Sequence, residues 1–349
     1  MKIRIISLLL ALVMAVSLVA CTGQTDKTEP TPSASTEPST AAPTEPTAEP
    51  STVPPTESTA PTEPPTTADT PLFWSVSRDG MDCNFYLLGS IHVSDGIIYP
   101  QKLLDAYNAC EAVAVESDVI ALEDDYTAMV EMMKLMLYTD GSKIYDHIDS
   151  ELYDAAKALL QSHNLYNIAF DYYIPIFWSQ LIENALLADT AYSSDAGVDR
   201  HFLMLAKQAG KEILEVEEYL DVYTGLAGLS QTTQAVILGQ SVAPDYQDSY
   251  GDSVGLLLEA WKRGNLEDLE SLIFGSNGEA VSEAEQRAAE EYNKMLLTDR
   301  NKKMVQAAVE YLEAGKSVFY VVGLAHMLGE DGIVAQLTEL GYTVTPVTY

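Results

Sequence analysis

Two histidines close two near-identical segments of this chain. Phe85-Tyr-Leu-Leu-Gly-Ser-Ile-His92 and Phe319-Tyr-Val-Val-Gly-Leu-Ala-His326 share Phe, Tyr, Gly and His in register. A neutral imidazole is a good ligand for Zn²⁺, Mn²⁺ or Co²⁺, and a catalytic metal site needs only a few protein ligands and one open position. The apolar run Ala112-Val-Ala-Val115 ends in Glu116, whereas the matching place after the second segment holds Pro346-Val347. One copy alone therefore supplies a carboxylate. Two imidazoles and one carboxylate suffice for a two-His, one-carboxylate metal site, or for two ligands with a glutamate base that activates water. Taken singly, each histidine also reads as a hydrogen-bonded cap on a buried strand, and Glu116 as a helix-capping or exposed acid. The pairing is what points to chemistry.

Other residues support that constellation. Gly89 and Gly323 stand three places before His92 and His326, where the absence of a side chain lets the backbone turn or approach a neighbour closely. Arg300, in Asp299-Arg300-Asn301, has the planar fork that stabilises an oxyanion or anchors a substrate carboxylate; a surface ion pair is the plain alternative. Asp199, Glu215 and Asn301 are candidates for orienting a ligand imidazole or for touching substrate, and Asp118 is a weaker candidate for the role of Glu116. His147, His163 and His201 lie among polar helical residues and receive no role. No Gly-rich phosphate loop, nucleophile elbow or zincin helix is present, so nucleotide-binding and serine-hydrolase readings lack an anchor.

The elements that must position these groups form an α/β pattern of two related β-α-β halves, each with a Gly-x-x-His motif, separated by a large helical insertion. Each half reads as strand, Gly-x-x-His, loop, helix, strand, with Asp95-Gly-Ile-Ile98 and Asp331-Gly-Ile-Val334 opening the helices. A crossover of this kind joins parallel strands and brings the residues just after the first strand to the sheet's carboxyl edge. A hairpin turning on Asp79-Gly80 is expected ahead of the first motif. Pro100 begins a helix over 101–110, and Gly197-Val-Asp199 leads another that ends at Gly210. Glu212–Val216 reads as a short strand, Ser282–Ala314 as one long helix, and Tyr342–Val347 as a last strand. Met129, Met132, Met133 and Met136, and Tyr172, Tyr173, Phe177 and Trp178, form stripes of the kind that usually face a core.

The ends and the composition bound the setting. Lys2 and Arg4 precede an apolar run ending Leu18-Val19-Ala20-Cys21, which reads as a lipoprotein signal over 1–20 with Cys21 as the lipidated residue. Residues 21–71 hold twelve of the 16 prolines and almost nothing apolar beyond alanine, so they read as a disordered, extended tether. Residues 72–349 remain for the folded domain. Net charge is −33, and Lys2, Arg4 and Lys27 against eight acids leave −28 beyond residue 70. Such a surface disfavours nucleic acid and anionic membrane faces. Cys83 and Cys110 are too few for a disulfide scaffold, although one bridge between them fits an oxidising compartment.

At this point the residues resemble the TraB/GumN (TraB/PrgY/GumN) family, which includes the Tiki proteins. The likeness is carried by Tyr86-Leu-Leu-Gly-Ser-Ile-His92, Val115-Glu116, Gly197-Val-Asp199 with Ile213-Leu-Glu-Val216, Asp299-Arg-Asn301, and Val322-Gly-Leu-Ala-His-Met-Leu-Gly-Glu-Asp-Gly332. It implies a fold similar to the erythromycin esterase and ChaN-like group. It also implies metal ligation by His92, His326 and Glu116, with manganese or cobalt favoured over zinc, as in the metal-dependent proteases among Tiki members. Ser90 stands where threonine is common. The expectation is a membrane-tethered, extracytoplasmic metallohydrolase acting on peptide or protein substrates, with a non-catalytic peptide- or haem-binding lipoprotein as the alternative use of the same cleft.

Overall fold

The computed structural model describes residues 68–275 and 282–349; the expected signal, Cys21 and the tether through residue 67 lie outside them. Asp69 and Thr70 are already tied into the fold, their amides donating to the carbonyls of Ile98 and Lys262.

The strands β1 (Phe73–Ser77), β2 (Phe85–Ser90), β3 (Ala112–Val115), β4 (Glu212–Glu215), β5 (Val318–Gly323) and β6 (Thr343–Pro346) form one sheet in the order β4-β3-β5-β2-β1-β6. Between β2 and β3 lies α1 (Gln101–Asn108). A first helical insertion follows β3: α2 (Val119–Glu123), α3 (Tyr126–Leu135), α4 (Ser150–Ser162) and α5 (Pro175–Ala188). The helix α6 (Val198–Ala209) then leads into β4. A second insertion carries α7 (Tyr219–Ala227), α8 (Gln231–Ser241), α9 (Pro244–Arg263), α10 (Leu266–Phe274), α11 (Glu283–Asn293) and α12 (Asp299–Glu313). After β5 come the single turn α13 (Leu324–Met327) and α14 (Ile333–Glu339), which leads into β6.

The expected α/β architecture is present. β3 and β5 are buried along their whole length, which is why they read as unbroken apolar runs: parallel strands covered on both faces have no solvent side to alternate toward. β2, β5, β3 and β4 run parallel, and β1 is antiparallel to both β2 and β6. The two signature strands are neighbours, with Phe85 opposite Val318 and Ser90 opposite Gly323. From β2 the chain crosses to β3 on one side of the pair; from β5 it crosses to β6 on the other. Right-handed crossovers that leave in opposite directions place their helices on opposite faces. Side chains of β5 agree. The Phe319 ring meets Tyr107 of α1 and Phe202 of α6, while the Tyr320 hydroxyl on the other face donates to the Met304 carbonyl of α12 at 2.8 Å. The carboxyl ends of β2 and β5 thus form a topological switch point, where open α/β sheets bind ligands.

Several local expectations are corrected. Asp79-Gly80 does form a tight turn, the Met81 amide donating to the Arg78 carbonyl at 3.0 Å with Gly80 at φ +84°, but it sits within a longer loop, 78–84, rather than joining β1 and β2 directly. Asp95-Gly-Ile-Ile98 is an irregular loop, held by the Ser94–Ser193 bridge and by the Ile98 amide on Asp69; Asp331-Gly-Ile-Val334 does open α14. The long rod over Ser282–Ala314 is α11 and α12 joined through a π-helical turn, Lys294–Thr298. Such turns recur at functional sites because they reset the phase of the side chains beyond them. Cys83 and Cys110 are both free thiols.

Candidate active site

His92, Glu116 and His326 each leave the carboxyl edge of a different strand, β2, β3 and β5. His92 comes two residues after β2, and its loop is clamped by the start of α6. The Val198 amide donates to the Ile91 carbonyl at 2.9 Å, and a Cβ on Gly197 would stand 2.4 Å from the His92 carbonyl oxygen. Only glycine permits that approach. The clamp delivers Asp199, whose Oδ1 lies 3.1 Å from His92 Nδ1. His326 sits on α13 and is 4% exposed. Its Nδ1 lies 2.6 Å from Asn301 Oδ1, and the Asn301 amide nitrogen donates to the Asp331 carbonyl, which turns the amide oxygen toward the ring. Each histidine therefore has Nδ1 held by an oxygen acceptor, and each keeps the Nε2 lone pair for the site.

Glu116 stands at the end of β3. Its Oε1 accepts from the Gly323 amide at 2.6 Å and its Oε2 from Arg300 Nη2 at 2.5 Å. The groups converge on one atom. A Cβ built on Gly323 would lie 3.0 Å from Glu116 Oε1, 3.3 Å from His92 Nε2 and 3.5 Å from His326 Cδ2, so the missing side chain is the space the three share. Gly89 has a different use: a Cβ there would press within 3.0 Å of the Leu324 Cα, so it lets α13 dock on β2.

Arg300 does not point into open cleft. Nε and Nη2 straddle Glu217 at 2.6–3.1 Å, Nη2 also reaches Glu116, and Nη1 donates to the Leu296 carbonyl of the π turn. A fork so engaged positions Glu116 rather than waiting for an oxyanion. The protonation states reflect these contacts. Burial pushes the Glu116 carboxyl up, but the Arg300 guanidinium, the two imidazoles and the Gly323 amide outweigh it and hold it well below the carboxylate range. Burial, with Arg300 adding to it, pushes His326 down to about 3, so its ring is neutral. Burial also opposes charge on His92, yet Asp199 and then Glu116 raise its pKa. Burial raises Glu217 despite the guanidinium against it.

The donor types, though not their present spacing, suit a divalent cation. Two imidazole nitrogens and one carboxylate oxygen face a common cradle, and Glu116, Glu217 and Asp199 against Arg300 leave two formal negative charges when the rings are neutral. The donors stand slightly apart. His326 Nε2 is 4.0 Å from Glu116 Oε1, against about 3.4 Å for two ligands bonded at ~2.1 Å in a tetrahedron, and among the described residues no three His, Cys, Asp or Glu side chains are grouped closely enough to hold a metal ion as they stand.

Sequence reasoning located His92, His326, Glu116, Asp199, Asn301, Gly89 and Gly323, and the fold brings all of these to one edge. Two other candidates, Glu215 and Asp118, do not enter it. Glu215 is exposed on the edge strand β4; the acid that enters is Glu217, two residues on, whose amide donates to the Glu116 carbonyl. The clue is positional, since ligand groups come after the ends of parallel strands rather than lie within them. Asp118 caps α2 and pairs with Lys207 at 2.6 Å, a structural post. The aromatic stripe faces a core as expected: Tyr173, Phe177 and Trp178 pack with Phe170 inside the first helical insertion, with Phe177 and Trp178 fully buried. The apolar wall of the cleft comes from Val115, Val119, Leu122, Tyr219, Val222 and Tyr223.

No curated protein and no solved structure matches the chain. The model of the TraB/PrgY/gumN family does match, over residues 72–346, a span that takes in every strand and all the side chains that meet at Gly323. The chain belongs to the TraB/PrgY/gumN family.

Proposed function

We propose that the protein is a metal-dependent hydrolase, a metallopeptidase acting on peptides, lipid-anchored through Cys21 outside the cytoplasm. The observation that carries this reading is the convergence of His92 Nε2, Glu116 Oε1 and the His326 ring on the space a Gly323 side chain would fill. His92, His326 and Glu116 would hold the cation, and the family likeness favours manganese or cobalt over zinc. A divalent cation supplies Lewis-acid polarisation of a carbonyl and a more acidic water at neutral pH. Glu116 enters as the anionic ligand rather than as the proton acceptor, because a carboxyl held so low is a weak base. Its oxygens retain lone pairs beyond those that meet Arg300 and Gly323. Asp199 and Asn301 fix the rings so that neither Nε2 can rotate away.

A second reading has its own support. His92 backed by Asp199, with a raised pKa and a bare Nε2, is the arrangement of a general base, so metal-free hydrolysis would have Nε2 take a proton from water. One experiment separates the two. The purified protein and its His92→Ala and His326→Ala forms are assayed for bound metal, then for cleavage of a peptide library in chelator and with manganese, cobalt or zinc restored. Stoichiometric metal lost in both variants, with turnover only on restoration, is expected. Full turnover in chelator would transfer the reaction to His92, and peptide capture without cleavage under any condition would leave a binding protein. Lipidation is tested separately: a palmitate analogue should label the wild type and not Cys21→Ala.

A further inference from the structure

The cleft lined by His92, Glu116, Asp199 and Arg300 has an apolar side, a slot walled by Val115, Val119, Leu122, Val222 and Tyr223, and the open space of the whole cleft is about 70 Å³. Two hydroxyls in it have no hydrogen-bond partner: Ser90 Oγ, on a residue 1% exposed at the end of β2, and Tyr219 Oη, whose oxygen is buried. Ser90 lies opposite Gly323 in the sheet, next to the convergence point. A buried hydroxyl without a partner is destabilising, so two of them in one apolar slot mark where polar atoms of a ligand belong. Val222 and Arg300 also line a second, wider and charged groove with Glu217, Asp221, Lys294 and Lys303.

We infer that this slot selects the substrate: it takes one short aliphatic side chain of a peptide, while Ser90 and Tyr219 hydrogen-bond the peptide's backbone beside the reacting carbonyl. The size sets the class. An engineered cavity that admits benzene measures ~150 Å³, about twice this space, so alanine or valine fits and an aromatic ring does not. The inference rests on the peptide-hydrolase reading for its consequence in turnover, but the slot can be read by binding alone.

The test uses the full-length protein with two variants, Leu122→Ala to enlarge the slot and Val222→Phe to fill it, each checked for native melting. Leu122 is only partly buried and lies outside the main core, so its truncation leaves the core intact. Peptides of the form Gly-Gly-Xaa-Gly-Gly are ranked by saturation-transfer NMR, and a peptide library is ranked by mass spectrometry of cleavage sites. Wild type should favour Val and Ala over Phe, Leu122→Ala should shift the Leu-to-Val ratio about tenfold toward Leu, and Val222→Phe should retain only Gly and Ala. Ser90→Ala should weaken binding of every peptide alike, with Ser90→Thr restoring it. Cleavage without side-chain preference, or a preference the slot variants do not move, overturns the slot and leaves the hydrolase. The expected preference in binding without any cleavage keeps the slot and removes the hydrolase. Neither binding preference nor cleavage removes both.

Discussion

Gly323 shows how much one hydrogen atom in place of a methyl can decide. Its φ of −49° suits any residue, so Gly323→Ala should fold normally. The added methyl would crowd Glu116 Oε1 at 3.0 Å and His92 Nε2 at 3.3 Å and displace them by a fraction of an ångström; since a 1 Å misplacement costs roughly 100-fold, turnover should fall severalfold, on the order of tenfold. Peptide cleavage and a thermal melt measured together check this: reduced activity with an unchanged melt is expected, and undiminished activity would mean the convergence has no chemical role. Arg300 makes the complementary case. Its fork is all that separates Glu116 from Glu217, so Arg300→Met leaves two buried carboxylates facing each other and should destabilise the protein by about 3 kcal/mol in urea melts. Arg300→Lys should fall between, since one ammonium cannot bridge both acids in the same planar geometry.

At the scale of elements, the site depends on helices that never touch it. Glu291 on α11 accepts from the Ser230 amide and hydroxyl, both at 2.7 Å, and from the Thr233 hydroxyl, so it ties α11 to the amino end of α8. Burial works against its charge, yet the Thr233 and Ser230 hydrogen bonds prevail and lower its pKa. A depressed carboxyl contributes stability that is present above its unfolded value of ~4.3 and fades as pH falls through the folded value. Wild type should therefore melt above Glu291→Gln at neutral pH, and the gap should close in acid; a gap that widens in acid would refute the tie. The same scale shows what was readable in advance. β2, β3 and β5 and their terminal His and Glu were legible because apolar runs and Gly-x-x-His are local signals. The entry of Glu217 was not, because it depends on a bend after Glu215 that strand periodicity does not encode. Nor was the slot, whose walls come from β3, α2 and α7, brought together by tertiary packing alone.

For the molecule as a whole, charge dominates outside the core. A chain at −33 repels itself, and salt screens that repulsion over about 10 Å at 0.1 M. The melting temperature should rise by a few degrees between low and physiological ionic strength; a fall would show that the surface ion pairs outweigh the repulsion. The α/β class and the inserted helices could be anticipated from the order of apolar runs. The spatial strand order could not, since nothing in a sequence states that β5 lies between β3 and β2.

That placement has a consequence for synthesis. β5 is the middle of the sheet and nearly the last strand to leave the ribosome, so a growing chain holds β2 and β3 apart with a gap at the centre until residue 318 emerges. Unfilled strand edges invite pairing with other chains. A fragment ending before Val318 should therefore aggregate rather than fold, and it lacks His326 as well. The groups that meet at Gly323 are therefore brought together only once both Gly-x-x-His segments have been made.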